Sequence, residues 1–362
     1  MRFDEIAVLN PATSIKKGQT AAFLDMATLP QHGRDVVTNI FKTFSGSGSR
    51  FLQNDTLIAR ITPCLENGKG AMVSFLENDE VGFGSTEFIV ARAHRASDAK
   101  FVYYTTRSNA FREAAISRME GTSGRQRVAW QQIANIEITD LPPREREVIG
   151  NTLGVLDDKI EANRKASAIL EEMARALYRS WFVDFDPVHA RAQGRAPAHM
   201  DPATAALFPD SFGDDELPEG WETVPYLDLV EIISGGTPKT TEQTYWNGAI
   251  PWYSVVDAPP TGQVFVHQTE KSITQAGFEG SAVKLVPTGT TIISARGTVG
   301  KLAIAGQNMV FNQSCYGLQG RTERRNAFVY FATERAIAHL QSMSHGSVFS
   351  TITRKTFEGL EL

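Results

Sequence analysis

Four cations stand on or beside glycine turns in this sequence, Arg60 and Lys69 in the first half and Arg296 and Lys301 in the second. Glycine lets a ligand approach the backbone closely. An arginine placed there can grip guanine through two hydrogen bonds, and a lysine can neutralise a phosphate. A second group lies in Gly121-Thr-Ser-Gly-Arg-Gln-Arg127, which offers Thr122, Ser123, Arg125, Gln126 and Arg127. Between Lys100 and Trp130 there are six basic residues, Arg118 among them, against two acidic ones. In the second half His345-Gly-Ser-Val-Phe-Ser-Thr351 takes the matching place, with Ser347, Thr351 and Arg354 as candidate contacts. Asn312 and Gln313 are amides that can pair with adenine or hold a turn. Lys239 adds a charge, and Tyr253, like Tyr245 and Trp252, offers a ring for stacking or for a core. These types suit contact with the phosphates and base edges of double-stranded DNA. For the arginines, a solvated surface is the alternative.

The elements behind these residues repeat. Phe101-Val-Tyr-Tyr104 recurs as Phe328-Val-Tyr-Phe331, and Asp55-Thr-Leu-Ile58 as Gly289-Thr-Thr-Ile292. Arg60 then matches Arg296, and Gly68-Lys69 matches Gly300-Lys301. Phe83-Gly-Ser-Thr-Glu-Phe88 lines up with Phe311-Asn-Gln-Ser-Cys-Tyr316, and Ile138 falls opposite Leu362. The offset drifts from 224 to 236 residues, which marks a domain duplication rather than a solenoid. The copies run from about Asp4 to Ile138 and from Asp228 to Leu362. Each has β-branched strands first (Thr56–Ile61, Thr290–Ser294) and then a helix opened by Asp98 or Asn326. The first copy closes on a short strand, Asn135–Thr139. The fold class is α/β (mixed α+β): two repeated domains, 1–141 and 221–362, with the same strand order.

Between them Pro142-Pro143 opens a helix from about Arg144 to Phe182, roughly 58 Å long. Ile149, Leu153, Leu156, Ile160, Asn163, Ser167, Leu170, Ala174, Leu177 and Trp181 alternate by four and three, the spacing of a coiled-coil seam. An amphipathic helix lying on one domain is the alternative. Residues 184–220 hold five prolines and little periodicity, and read as an inter-domain linker.

The totals bound the function. A net charge of −5 argues against a nucleic-acid binder at first sight, and mildly favours a coiled-coil scaffold whose domains bind protein. Asp201 to Glu231, however, holds nine acids and no lysine or arginine, so the remainder carries +4. A local basic face suffices for DNA. No apolar run approaches the ~18 residues of a membrane span, and no secretory signal is visible. Cys64 and Cys315 lie far apart without CxxC spacing, which suits a reducing cytoplasm. No catalytic motif stands out. The histidines lack metal spacing, there is no P-loop or GxSxG, and Asn10-Pro11 is followed by Ala12-Thr13 where an amino-methyltransferase needs an aromatic. Neither metal nor cofactor is expected in this chain.

Several segments resemble the specificity subunits of type I restriction-modification systems. Leu141-Pro-Pro-Arg-Glu-Arg-Glu147, Leu156-Asp-Asp-Lys-Ile-Glu161 and Leu177-Tyr-Arg-Ser-Trp-Phe-Val-Asp-Phe185 look like that family's central helix. Leu207-Phe-Pro-Asp-Ser211, Pro218-Glu-Gly-Trp221, Gly235-Gly-Thr-Pro238, Ile250-Pro-Trp252, Ile293-Ser-Ala-Arg-Gly-Thr-Val-Gly300 and Asn312-Gln-Ser314 fit its second recognition domain. The resemblance implies a non-catalytic reader of a split DNA target. It implies modification (methyltransferase) subunits that use S-adenosylmethionine, and restriction subunits that use ATP and Mg. The family has a second long helix after the second recognition domain, and here the chain stops at Leu362. The seam is therefore expected to pack on another polypeptide, either a second copy of the helix or the modification subunit.

Overall fold

β-Branched and apolar runs make the strands close to where the sequence places them. A computed structural model describes residues 1–36, 38–77, 79–122, 124–260, 262–322, 326–342 and 351–362, with the backbone of 343 and 344. The chain divides into two units, Met1–Arg164 and Lys165–Leu362. The division falls inside the long helix rather than in the proline-rich segment.

In the first unit the strands are β1 (Ala7–Leu9), β2 (Thr20–Leu24), β3 (Asp35–Val36), β4 (Phe41–Thr43), β5 (Ser49–Phe51), β6 (Thr56–Ala59), β7 (Gly70–Val73), β8 (Gly82–Gly84) and β9 (Phe88–Ala93). Helices α1 (Ala99–Arg107), α2 (Asn109–Ile116) and α3 (Trp130–Ala134) follow. A five-stranded sheet has the order β1-β9-β6-β7-β3, and a four-stranded sheet the order β4-β2-β8-β5. Strands β6 and β7 are buried at every position, as expected of a strand covered on both faces. Leu57 and Val90 lie in one core cluster, and Ile58 and Ile89 in another with Phe101, Val102 and Phe111 of α1 and α2.

After helix α4 (Pro143–Phe182), the second unit runs through α5 (Asp186–Ala192), α6 (Pro202–Ala205), α7 (Tyr226–Leu229), β10 (Val230–Ser234), β11 (Trp246–Tyr253), β12 (Phe265–Val266) and β13 (Lys271–Ile273). It continues with α8 (Gln275–Glu279), β14 (Thr291–Ser294), β15 (Leu302–Ala305), β16 (Val310–Phe311), β17 (Cys315–Gly320), α9 (Asn326–Ser344) and α10 (Arg354–Glu358). Its main sheet has the order β10-β17-β14-β15-β12. The duplication is visible strand by strand. In both sheets the first four strands pair antiparallel, and the last, β3 or β12, joins parallel. The smaller sheets agree too, since β2 pairs parallel with β8 as β11 does with β16. Even the closures match. The Ile138 amide donates to the Met1 carbonyl at 2.9 Å, and the Leu362 amide to the Val224 carbonyl at 3.0 Å.

The hydrogen bonds correct the sequence alignment by one residue. Ala59 opposite Phe88 and Ser294 opposite Cys315 close the two central ladders. The Arg60 carbonyl then accepts from Val128, as the Ala295 carbonyl accepts from Ile352. Arg60 is therefore equivalent to Ala295, and Arg296 to Ile61. Slipping one antiparallel strand forward and its neighbour back leaves their pairing unchanged, so residue types alone did not reveal the slip.

Helix α4 has 40 residues, with Pro143 at its first position. Its docking face on the first unit is not the predicted seam. It consists of Arg146, Gly150 and Gly154, the helix's buried residues. Arg146 donates to Asp98 Oδ2 at 2.9 and 3.1 Å, both residues being buried. Asp98 precedes α1 as expected, but its side chain makes no capping bond. Tyr104 donates to Asp157 at 2.7 Å. Within the second unit the same helix places Arg175 on Glu334 through two 2.9 Å bonds, and Tyr178 against Phe328 and Phe331. The seam stays open in this chain, with Leu156, Ile160 and Leu170 roughly half exposed or more. Ile149, Leu153 and Leu177 lie at 36–41% exposure, Asn163 is exposed, and Ser167 is exposed beside them. Trp181 departs from the seam and packs edge-on against Phe208, 5.6 Å away. Residues 184–220 are more ordered than a linker. They carry α5 and α6, and Phe185, Phe208 and Phe212 join an aromatic cluster with Trp221. No described helix is long and apolar enough to cross a membrane.

Candidate nucleic-acid interface

In the first unit the polar loop after α2 folds as a hairpin. Glu120 and Arg127 exchange both backbone hydrogen bonds at 2.9 Å, and the Arg125 amide closes a turn on the Thr122 carbonyl. Gly121 and Gly124 adopt φ of +125° and +79°, which a side chain would strain. The hairpin is fastened to the end of β6, because the Thr62 amide donates to the Gln126 carbonyl and the Val128 amide to Arg60. Arg125 and Thr122 are exposed at the tip, and Gln126 is half-buried. Ser123 lies outside the described residues. Arg127 is exposed but engaged. Its Nε and Nη2 donate to the Glu87 carboxylate at 2.8–3.0 Å. Glu87 escaped the sequence reading, since nothing in its spacing ties it to a loop 40 residues away.

The remaining cations of this unit differ in availability. Arg60 is half-buried beside the hairpin, and its Nε has no hydrogen-bond partner among the described residues. Lys69 turns towards the Met26 carbonyl, 2.9 Å away, so one of its three donors is occupied by the protein. Arg118 folds back on α2, donating to the Ala114 carbonyl at 2.8 Å.

The second unit builds the corresponding region from β14, β17 and the segment before α10. Arg296 is exposed and pairs through its backbone with Thr351. Lys301 is exposed at the far end of the same hairpin, where its amide donates to Ser294 Oγ at 2.9 Å. Asn312 is a turn-holder: its Oδ1 accepts from the Ser314 amide at 3.0 Å. Gln313 is exposed and its Oε1 accepts from the Thr237 hydroxyl. Arg354 is exposed on the first turn of α10, and Lys239 is exposed before β11. Ser347 lies outside the described residues. Tyr253 is corrected. It is fully buried and belongs to a core cluster with Phe311 and Met309, so its ring cannot reach a base. Trp252 is likewise buried, its Nε1 donating to the Gly236 carbonyl. Only the last two residues of β11 are buried, so adjacent aromatics there enter the core on both faces while the rest of the strand is partly exposed.

The exposed side chains of both regions include guanidinium, ammonium and amide donors on hairpins at the ends of two equivalent sheets, suited to phosphate oxygens and to base-edge acceptors, with the Glu120 carboxylate beside them in the first. Among the described residues no cluster of three His, Cys, Asp or Glu side chains could hold a metal ion.

Comparison with known proteins points the same way. Residues 218–362 match the model of the type I restriction modification DNA specificity domain. The chain is 25% identical over 375 aligned residues to the type I restriction enzyme HindI specificity subunit of Haemophilus influenzae, covering 90% of this chain and 80% of that protein. It is 31% identical over 149 residues to the EcoAI specificity subunit of Escherichia coli, covering 40% of this chain and 25% of that one. The crystal structure of a type I restriction-modification S subunit from M. genitalium superposes with a TM-score of 0.51 at 15% identity. The superposition covers all of this chain and 83% of that one, and it shows a shared fold.

Proposed function

We propose that the chain is a specificity subunit of a type I restriction-modification system and that each of its two domains reads one half of a split DNA target, a reading supported by the match of residues 218–362 to the DNA specificity domain and by the likeness to the HindI specificity subunit over 90% of the chain. It is a non-catalytic DNA-recognition subunit. The observation that carries the two-part reading is the repetition of one strand order with donor-bearing hairpins at the same ladder ends. In the first domain Arg60, Arg125, Gln126 and Arg127 face one half-site. In the second, Arg296, Lys301, Gln313, Thr351 and Arg354 face the other. The open seam from Ile149 to Leu177 receives helices of modification subunits or of a second copy. On this reading the S-adenosylmethionine, ATP and magnesium chemistry belongs to those subunits. Lone thiols at Cys64 and Cys315 support a cytoplasmic site of action.

The test is methylome mapping of the source cell with and without the chain, followed by salt-dependent binding of the assembled complex to the mapped target. Loss of one bipartite methylation motif, with binding that weakens steeply as salt rises, is the expected result. A complex that binds no duplex DNA removes the reading and leaves a protein scaffold.

A further inference from the structure

The four-stranded sheet of the first unit carries a second group of cations. Lys16 and Lys17 lie on the turn before β2, Lys42 in β4 and Arg50 in β5. Hydrogen bonds gather them. The Gly18 amide donates to the Phe44 carbonyl at 2.9 Å and the Phe44 amide to the Gln19 carbonyl at 2.8 Å, so the lysine turn is fixed to the end of β4. Lys42 Nζ sits 3.7 Å from the centre of the Phe23 ring, and the Arg50 guanidinium 5.0 Å from that of Phe44. Both rings pack edge-on against Phe83, at 5.3 and 5.1 Å. One aromatic cluster thus holds two cations. A ring face orients a cation without neutralising it.

None of the four has an acidic partner among the described residues, and segments 11–24 and 39–54 contain no Asp or Glu. The acids that border these segments are engaged elsewhere: Asp55 pairs with Arg92, which also donates to Thr13, Asp25 accepts from the Ala27 and Thr28 amides, and in the loop before β8, which carries Glu77, Asp79 and Glu80, Glu80 accepts from the Glu77 amide. Arg50 is incompletely satisfied. One donor reaches the Thr13 carbonyl at 3.2 Å, while its buried Nε has no hydrogen-bond partner among the described residues. It lines a cavity of about 310 Å³ with Asn10, Thr13 and Ser49. Gly46 and Gly48, at φ +114° and +120°, shape the loop beside it. This rim is continuous with the hairpin described above: Ser49 pairs with Gly84, and the turn after Gly84 carries Glu87, the partner of Arg127.

We propose that Lys16, Lys17, Lys42 and Arg50 form a seat for the sugar-phosphate backbone of duplex DNA. The seat extends the first domain's contact beyond the Arg125–Arg127 hairpin, and it rests on the DNA-reading function proposed above. Continuity with the hairpin and full, unpaired positive charge favour a polyanion over a protein. Ile40, just before β4, and Phe41, its first residue, are exposed and are the features a protein partner would use.

The test uses the full chain assembled with its own modification subunits, on the methylation-mapped duplex and on an unrelated one. A quadruple Lys16→Gln, Lys17→Gln, Lys42→Gln, Arg50→Gln variant and the single Arg50→Lys variant are titrated from low to moderate salt. The quadruple variant is expected to bind both duplexes at least about ten-fold more weakly, with a log K against log salt slope shallower by about 0.9 per lost contact. Its methylated motif is expected to stay the same, and Arg50→Lys to keep the wild-type slope. A quadruple variant that melts as wild type yet keeps wild-type affinity and slope overturns the seat. So does a variant that sheds a partner subunit while its slope is unchanged, which would mark the rim as a protein dock. If the wild-type assembly itself binds no duplex, the DNA reading fails as well, and the two failures are told apart.

Discussion

Arg127 and Glu87 clasp each other through three contacts of 2.8–3.0 Å, at the positions that Thr351 and Ser314 occupy in the second domain. At the same point of the same ladder one domain therefore holds an ion pair and the other two neutral hydroxyl residues. Replacing Glu87 by Gln should release the Arg127 guanidinium towards a phosphate. Binding of the assembled complex to duplex DNA is expected to tighten at low salt, and its log K against log salt slope to steepen by about 0.9. An unchanged slope would mean that Arg127 faces away from the backbone.

Arg125 is exposed at the hairpin tip and is proposed above as a contact to the first half-site, a base edge being the contact that its replacement tests. Arg125→Ala should cost about 1–3 kcal/mol of binding on the first half-site and relax one of its positions, with the second half-site untouched. A library of half-site variants sequenced after selection on the complex gives the answer. Uniform loss across sequences would move Arg125 to the phosphates.

Gly150 and Gly154 set how closely α4 approaches α1. A Cβ on Gly150 would lie 2.8 Å from the Phe101 backbone nitrogen, whereas one on Gly154 would meet the movable Lys100 side chain at 2.9 Å. Alanine in an open helix gains about 1 kcal/mol over glycine. The backbone clash reverses that sign, so Gly150→Ala should lower stability by about 1–3 kcal/mol. Gly154→Ala should change it little. Urea unfolding curves of the two variants check the order.

The open seam predicts a selective failure. Leu156→Asp together with Leu170→Asp should leave both domains folded, because neither side chain belongs to a core cluster. Association with modification subunits, or with a second copy, should fall by at least about ten-fold in sedimentation velocity. Unchanged assembly would place the partner elsewhere.

Burial pushes the Cys315 thiol up to about 12, so at pH 8 it is almost wholly neutral, and the thiolate is the reactive form. Cys64 is partly exposed. Iodoacetamide should label one cysteine per native chain, still one at pH 10, and two in guanidinium. Two labels in the native protein at pH 8 would show that β17 opens.

The sequence spacing located the long helix to within a residue, and paired Phe101–Tyr104 with Phe328–Phe331 correctly enough to expose the duplication. It did so because apolar periodicity and repeated apolar strings report on cores. The docking face escaped it for the converse reason: Gly150, Gly154 and Arg146 are small or charged, so hydrophobic periodicity passes over them and picks the exposed leucines. Lys42 and Arg50 stayed invisible because the rings that hold them, Phe23 and Phe44, meet only through the parallel pairing of β2 with β8 and the packing on Phe83. Asn312 and Tyr253 show the remaining limit. Their types suit DNA, but a turn and a core claimed them first.

The backbone bonds that join Met1 to Ile138 and Val224 to Leu362 bring the first and last residues of each domain side by side. A unit whose ends touch can be lifted out and another set in its place with two adjacent splices, and no strand has to be threaded through a sheet. On the two-part reading proposed above, half of the recognised sequence would be exchangeable by recombination while the other half and the helix between them are kept. New target combinations would then arise by shuffling whole domains rather than by stepwise change within one.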